Sequence, residues 1–274
     1  MNFNLDFLRF RFIALIASVS FILVSLATIS IQQLQLGLDF TGGTLVEVGF
    51  TETVDPEEIR TYLEGKQIDA LVQAFGSDKD LLIKIPSSEN IENANIVIDS
   101  LQQQYSFQLR RSGFVGPQVG GELRDQGGLG LLAALLVMMI YIMFRFQYKF
   151  AIGAVVALFH DVLIVLGIFS ILRLEFDLSV LAALMAVIGY SLNDTIVVSD
   201  RIRENFRAKR KLNSEQVINR SLNNTLGRTL ITSLTTLLVL FSLLFLVGEI
   251  IRNFAIALSI GVVVCLLYTS EAAD

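Results

Sequence analysis

The chain has 274 residues, 53% of them hydrophobic and only 17% charged, with a mean hydropathy of +0.63. Soluble domains carry about 25% charged residues, so the composition excludes an ordinary soluble class and weights the chain towards lipid. The net charge of -5 argues against a nucleic-acid partner, and a single cysteine, Cys265, with a single histidine, His160, excludes an intramolecular disulfide and is too little for a zinc site, so no metal or cofactor is expected.

Six segments are apolar enough for membrane helices of about 20 residues, near 12–31, 127–145, 150–172, 178–200, 228–247 and 251–268. The first exceeds the usual ~7–15-residue core of a signal peptide and has no convincing Ala-x-Ala site after it, so it reads as an anchor. The block 35–125 has another character. Thr44–Thr51 alternates like a strand, and Asp55 with Pro56 opens a helix as N-cap and first helical residue. Ala70–Phe75 and Asp80–Ile85 read as strands joined by a turn over Gly76–Lys79, Ile91–Gln104 has helical spacing, and Tyr105–Phe114 returns to strand. The predicted order β-α-β-β-α-β is the split βαβ, or ferredoxin-like, pattern.

The predicted fold is therefore a six-helix membrane bundle with an α+β domain between its first two helices. It divides into 1–34, the N-terminus and first span; 35–125, the inserted domain; and 126–274, five helices with a basic loop at 201–227. Lysine and arginine in short loops set orientation. Arg9, Arg11, Arg145 and Lys149 lie on one side with Arg201, Arg203, Arg207, Lys209, Arg210, Lys211 and Arg220; the other side offers only Arg173 and Arg252. Both termini and the basic loop are expected in the cytoplasm, and 35–125 outside.

The inserted block hangs between two glycine-rich joints, Gly37, Gly42 and Gly43 on entry and Gly113, Gly116, Gly120 and Gly121 on return. Glycine opens turn conformations closed to other residues. These positions suit a moving domain, and equally suit ordinary surface turns.

Ionisable residues within a span are costly and usually functional. Asp194 lies in the fourth predicted span, within VIGYSLNDTIVVSDRIREN. Helical spacing puts Ser191, Thr195 and Ser199 on one face, with Asn193 and Asp194 beside it. The fifth span opens GRTLITSLTTLL, where Arg228, Thr232, Thr235 and Thr236 form a second polar stripe with Thr229 and Ser233 alongside. These features predict a water-accessible seam in which Asp194 takes a proton and Arg228 sets its field. Alternatively, Arg228 ends a helix and snorkels to the interface. FHDV puts His160 and Asp161 in mid-span, as a proton relay or as a pair that fixes packing. Glu249 and Arg252 read as solvated. No P-loop, nucleotide fingerprint or nucleophile elbow occurs, so no enzyme activity is expected. The energy source left is an ion gradient, in which one charge crossing ~100 mV is worth about 2.3 kcal/mol.

On LGLDFTGGT (36–44), GPQVGGEL (116–123), FHDV (159–162), GYSLNDTIVVSDRIREN (189–205) and RTLITSLTT (228–236), the chain resembles the SecD/SecF family, a branch of the resistance-nodulation-division superfamily. Its length favours the smaller SecF type. The resemblance implies an accessory subunit of Sec protein export in the bacterial inner membrane. Its implied partners are SecD and the SecYEG channel, with YajC and YidC beyond them. The proton-motive force would complete translocation of unfolded polypeptide after the SecA motor has acted, and release it outside. Asp194 matches the family's essential intramembrane aspartate and Arg228 its paired arginine, while 35–125 matches the external domain beside emerging substrate. The glycine joints would pass helix movement to that domain. After Val264 the stretch CLLYTSEAAD departs from the family pattern, so the last helix is expected to be truncated or to end in non-native sequence. Two rival functions stand beside this one: a small-molecule or lipid exporter of the same superfamily, and a passive scaffold. Sodium is the rival coupling ion, because a carboxylate among Ser, Thr and Asn also suits it.

Overall fold

The computed structural model describes residues 5–86, 92–145, 148–208, 212–246 and 251–268. The apolar run after Arg9 folds as α1 (Arg11–Gln32). Gln33, at φ 58°, turns the chain into a two-residue strand β1 (Gln35–Leu36) and a single helical turn α2 (Leu38–Thr41).

The inserted domain follows as β2 (Gly43–Phe50), α3 (Pro56–Gly65), β3 (Leu71–Phe75), β4 (Ser77–Pro86), α4 (Glu92–Gln102) and β5 (Phe107–Val115). Its strands form one sheet in the order β3-β4-β2-β5, every pair antiparallel. Alternation sets the core. Val46, Val48, Ile83, Leu81 and Val72 point to one face and pack against Ile59 and Leu63 of α3 and Val97 and Leu101 of α4. Asp55 caps α3 as its sequence demands, its side chain accepting from Glu57 N–H at 3.0 Å with Pro56 at the first helical position. The hairpin between β3 and β4 is tighter than the predicted four-residue turn. Gly76, at φ 75°, makes the reversal alone, so Ser77–Lys79 join β4.

The chain returns through α5 (Pro117–Arg145), then α6 (Tyr148–Ile171), a short strand β6 (Glu175–Phe176), α7 (Leu178–Ala208), α8 (Ser214–Leu246) and α9 (Arg252–Tyr268). Among the described residues, five helices (α1, α5, α6, α7 and α8) are long and apolar enough to cross a membrane; α9 is apolar but has 17 residues. The chain is thus a multi-pass helical membrane protein with a sheet-containing domain. The bundle centres on α6 and α7, where Leu158, Val165 and Phe169 pack against Val180, Leu184 and Ile188.

Two further expectations change. The predicted loop 201–227 is mostly helix, because α7 continues to Ala208 and α8 starts at Ser214. Arg201, Arg203, Arg207 and Arg220 are therefore helical; Lys209, Arg210 and Lys211 lie outside the described residues. Gly120 and Gly121 belong to the first turns of α5, which starts ten residues before its apolar run, so the return joint is helical there. Glu249, Ile91 and the stretch 269–274 also lie outside the described residues. The segment before α1 is bound to the start of α8, with Leu5 and Phe7 N–H donating to Asn223 and Asn219 and Arg11 paired to Glu215 at 3.0 Å. This puts the N-terminal segment and the α7–α8 connection on the same side.

Candidate functional site: a buried carboxylate seam

Helices α7 and α8 run antiparallel and touch through polar side chains. Tyr190 donates to Ser233 Oγ at 2.8 Å, Thr229 donates to Asp194 Oδ1 at 2.5 Å, and Asn205 donates to Ser221 Oγ at 2.8 Å. Asp194 stands at mid-helix and is 9% exposed. Its second oxygen, Oδ2, is buried and has no hydrogen-bond partner among the described residues. An unpartnered buried acceptor costs about 1–3 kcal/mol, so such groups persist where function requires them.

One turn before Asp194, Ser191 donates to Asp161 Oδ2 at 2.7 Å, and Asp161 Oδ1 lies 3.1 Å from His160 Nδ1. Asp161 is 0% exposed. Cys265 of α9 is buried beside Ser191 as well. The two sites read separately in the sequence thus meet in one polar cluster shared by α6, α7, α8 and α9. His160 also stands on the wall of a mostly apolar cleft of about 710 Å3 between α1, α6 and α9, with Ser18, Ser25 and Ser259 as its other polar lining.

Not every expected residue joins the seam. Asn193 is exposed, because it sits about 100° round the helix from Asp194. Arg228 is exposed too and makes no ion pair among the described residues, and α8 extends fourteen residues before it, so it does not end a helix. The row of α8 facing α7 is Ser221, Thr225, Thr229 and Ser233, all buried; the predicted stripe of Arg228, Thr232 and Thr235 faces outward. Antiparallel helix geometry puts Asn193 and Arg228 on the same side of the seam. Ser191 and Thr229, read in the sequence as polar positions of the two spans, are the hydroxyls that bond Asp161 and Asp194; Cys265 was not foreseen there. The four-residue spacing of 221, 225, 229 and 233 is the signal that carries Thr229.

At the joint between the bundle and the inserted domain, Gly42 and Gly43 have φ 75° and 147°. A Cβ on Gly42 would stand 2.8 Å from Pro117 N, and one on Gly43 would overlap the Ile85 carbonyl, so the joint is packed tightly between β4 and α5. Gly37 and Gly120 are close-approach sites, Gly120 lying against the Gly42 and Phe40 backbone; Gly116 and Gly121 meet no such crowding.

Comparison with known proteins places the chain in a family. The family model of the C-terminal part of protein export membrane proteins SecD/SecF matches residues 96–270, and the SecD/SecF GG motif matches residues 28–54, the joint itself. A protein translocase subunit SecF of Vibrio alginolyticus is 45% identical over 267 residues, covering 95% of this chain and 85% of that protein. The SecF of Pseudomonas aeruginosa is 45% identical over 263 residues, covering 94% and 86%. The crystal structure of SecDF, a translocon-associated membrane protein of Thermus thermophilus, superposes with a TM-score of 0.88 at 34% identity over 99% of this chain, which spans 38% of that one. A SecDF in its super-membrane-facing form gives 0.76 at 33% identity, with the chain again spanning 38% of it. With a family model over more than half its length and relatives at this identity, the chain belongs to the SecD/SecF family of protein export membrane proteins, among its SecF members.

Proposed function

We propose that the chain is the gradient-coupled accessory subunit of Sec protein export, joining a SecD partner to complete translocation and release of unfolded polypeptide on the outer side of the inner membrane. The observation that carries this reading is Asp194, a carboxylate buried in a membrane helix with one oxygen unpartnered. A proton on that oxygen removes the buried charge and alters what Thr229 must donate to, so the preferred packing of α7 on α8 differs between the two protonation states. The Asp161–Ser191 contact puts a second carboxylate within the same cluster, with His160 as the group that can pass a proton to it. Protons suit the site better than sodium. Among the described residues Thr229 is the only side chain bonded to Asp194, which leaves few oxygens to replace an ion's hydration shell.

In this reading α9 is the sixth span, about 26 Å long at ~1.5 Å per residue and close to the hydrocarbon thickness. The inserted domain is ferredoxin-like, supported by the strand order β3-β4-β2-β5 with both helices on one face. It faces outward, and both termini face the cytoplasm, supported by the basic residues at the N-terminal and α7–α8 side. The exposed row of Asn193, Arg228, Thr232 and Thr235 is too polar for lipid. The SecD partner covers it and meets Arg228 there; the SecYEG channel, with YajC and YidC, lies beyond. The small-molecule exporter is not favoured, since the relatives at 45% identity are SecF translocase subunits.

The test is a comparison of inverted membrane vesicles with and without the chain, both carrying the SecD partner, with ATP removed after translocation of a precursor has begun. Completion that needs both the chain and a proton gradient supports the reading; completion that needs the chain but no gradient favours a passive scaffold. A sodium gradient in place of the proton gradient identifies the ion, and Arg228→Leu lowers co-purification of the SecD partner if Arg228 meets it.

A further inference from the structure

The joint is tied to the outer end of α7. β1 pairs in parallel with β6, Gln35 beside Glu175 and Leu36 beside Phe176, and Gly37 N–H donates to the Phe176 carbonyl at 2.8 Å. A Cβ on Gly37 would stand 3.0 Å from Glu175 Oε1 and 3.1 Å from Asp177 Cβ, so the two segments approach closely there. Phe40 stacks on Phe176 at 5.7 Å between centroids. Asp39 Oδ2 accepts from the backbone N–H of Leu178, the first residue of α7, at 3.1 Å. From the sheet, Lys84 of β4 forms an ion pair with Glu175, each side chain only 15% exposed.

These bonds are not what α7 needs in order to be a helix. Asp177 already caps it, accepting from Val180 N–H at 2.9 Å, so the Asp39 bond is a second one, brought from another segment. A largely buried ion pair is a weak source of stability, because desolvation offsets its Coulomb energy, but it fixes one geometry. Three segments therefore converge on one helix end: the joint, the β6 strand and the sheet. That helix runs unbroken to Ala208 with Asp194 inside it, about 24 Å from Leu178 at ~1.5 Å per residue.

We infer that Asp39 and the Lys84–Glu175 pair are positioning residues that couple the helix carrying Asp194 to the inserted sheet domain. Proton-linked displacement of α7 is delivered to β4 through Glu175 and to the joint through Asp39, and the glycines supply close packing at that connection. The inference rests on the gradient-coupling reading of Asp194.

The vesicle assay tests it with Asp39→Ala, Asp39→Asn, Lys84→Glu, the charge swap Lys84→Glu with Glu175→Lys, and Asp194→Asn in parallel. Asp39→Ala and Lys84→Glu are expected to lower the gradient-dependent phase about five- to tenfold, a usual range for coupling between sites, with the ATP-driven phase and the amount of assembled protein unchanged. Asp39→Asn, which keeps an acceptor, and the charge swap bring the phase back to within about twofold of wild type. If Asp194→Asn abolishes the phase while Asp39→Ala and Lys84→Glu leave it intact, the coupling inference is overturned and the reading of Asp194 stands. If Asp194→Asn also leaves it intact, the reading fails and the inference with it. A loss that follows the amount of folded protein, or that neither Asp39→Asn nor the charge swap rescues, marks a merely structural role and also overturns the inference.

Discussion

Replacing Thr229 with valine keeps the shape of the side chain and deletes the hydroxyl that donates to Asp194 Oδ1. Because Oδ2 has no partner among the described residues, the variant leaves the buried carboxyl with none. A hydrogen bond to a charged group contributes about 1.5–3 kcal/mol and a neutral one about 0.5–1.5 kcal/mol. Thr225, one turn earlier and as deeply buried, is the internal standard. Its hydroxyl donates only to the Ser221 and Leu222 carbonyls of its own helix, at 3.1 Å, which already have backbone roles. Thr229→Val is therefore expected to cost about 1–2 kcal/mol more than Thr225→Val. For a chain of this size that difference is about 2–8 °C in the thermal midpoint, measured by unfolding in a mild detergent, and Thr229→Ser recovers most of it. Equal midpoints for the two valine variants would refute the claim that Thr229 holds Asp194 in the seam.

Other consequences are open to the same kind of measurement. Gly43→Ala meets both the positive φ and the Ile85 carbonyl, so it is expected to cost at least about 1–3 kcal/mol and to raise hydrogen exchange at the start of the β2–β4 pairing. Ile59→Ala, at a fully buried position of α3, is expected to destabilise the sheet domain by about 2–5 kcal/mol in denaturant unfolding. Breaking the exposed Glu57–Arg60 pair by Glu57→Ala costs under ~1 kcal/mol in the same measurement. A Cβ on Gly261 would overlap Val187, so Gly261→Leu should separate α9 from α7 and reduce assembled protein in membranes, while Gly153→Leu, in open space, should not. Burial first, and then the Glu58 hydrogen bond, hold the Tyr105 phenol above its ordinary 10.0. A raised folded value means the contribution is full below about pH 10 and is lost as pH rises through it; Tyr105→Phe should flatten the fall in sheet-domain stability above that pH, and an unchanged slope would contradict the assignment.

Much of the architecture was legible because local chemistry and global fold agree. Asp55–Pro56 could only open a helix, and the alternation in 44–51 and 80–85 put Val46, Val48, Leu81 and Ile83 on the core side. Helix ends beyond the bilayer were not legible from hydropathy, which stops at the membrane while the backbone does not. Arg201 to Arg207 and Glu215 to Asn224 are mostly polar and suit water, and α7 and α8 continue through them as helix. At the site, Asp194 and the His160–Asp161 pair were found by their cost in lipid. Which face each helix turns to its neighbour was not, since α8 carries two hydroxyl rows at the same spacing. Packing against α7 chooses the one with Thr229 and Ser233 and turns Arg228 outward. The Asp161–Ser191 bond joins residues thirty apart and has no local signal at all. The tie between the joint and α7 was hidden for the same reason, because Asp39, Lys84 and Glu175 look like ordinary surface charges until the segments are brought together.

The most direct test of the central claim is gradient-dependent completion of export in vesicles carrying Asp194→Asn, at matched expression and with normal assembly with the SecD partner. The substitution preserves size and a hydrogen-bond acceptor for Thr229 but cannot bind and release a proton near neutral pH. Loss of the gradient-dependent phase, with the ATP-driven phase intact, is the predicted result. Completion at the wild-type rate would contradict it and would move the proton to Asp161 and His160.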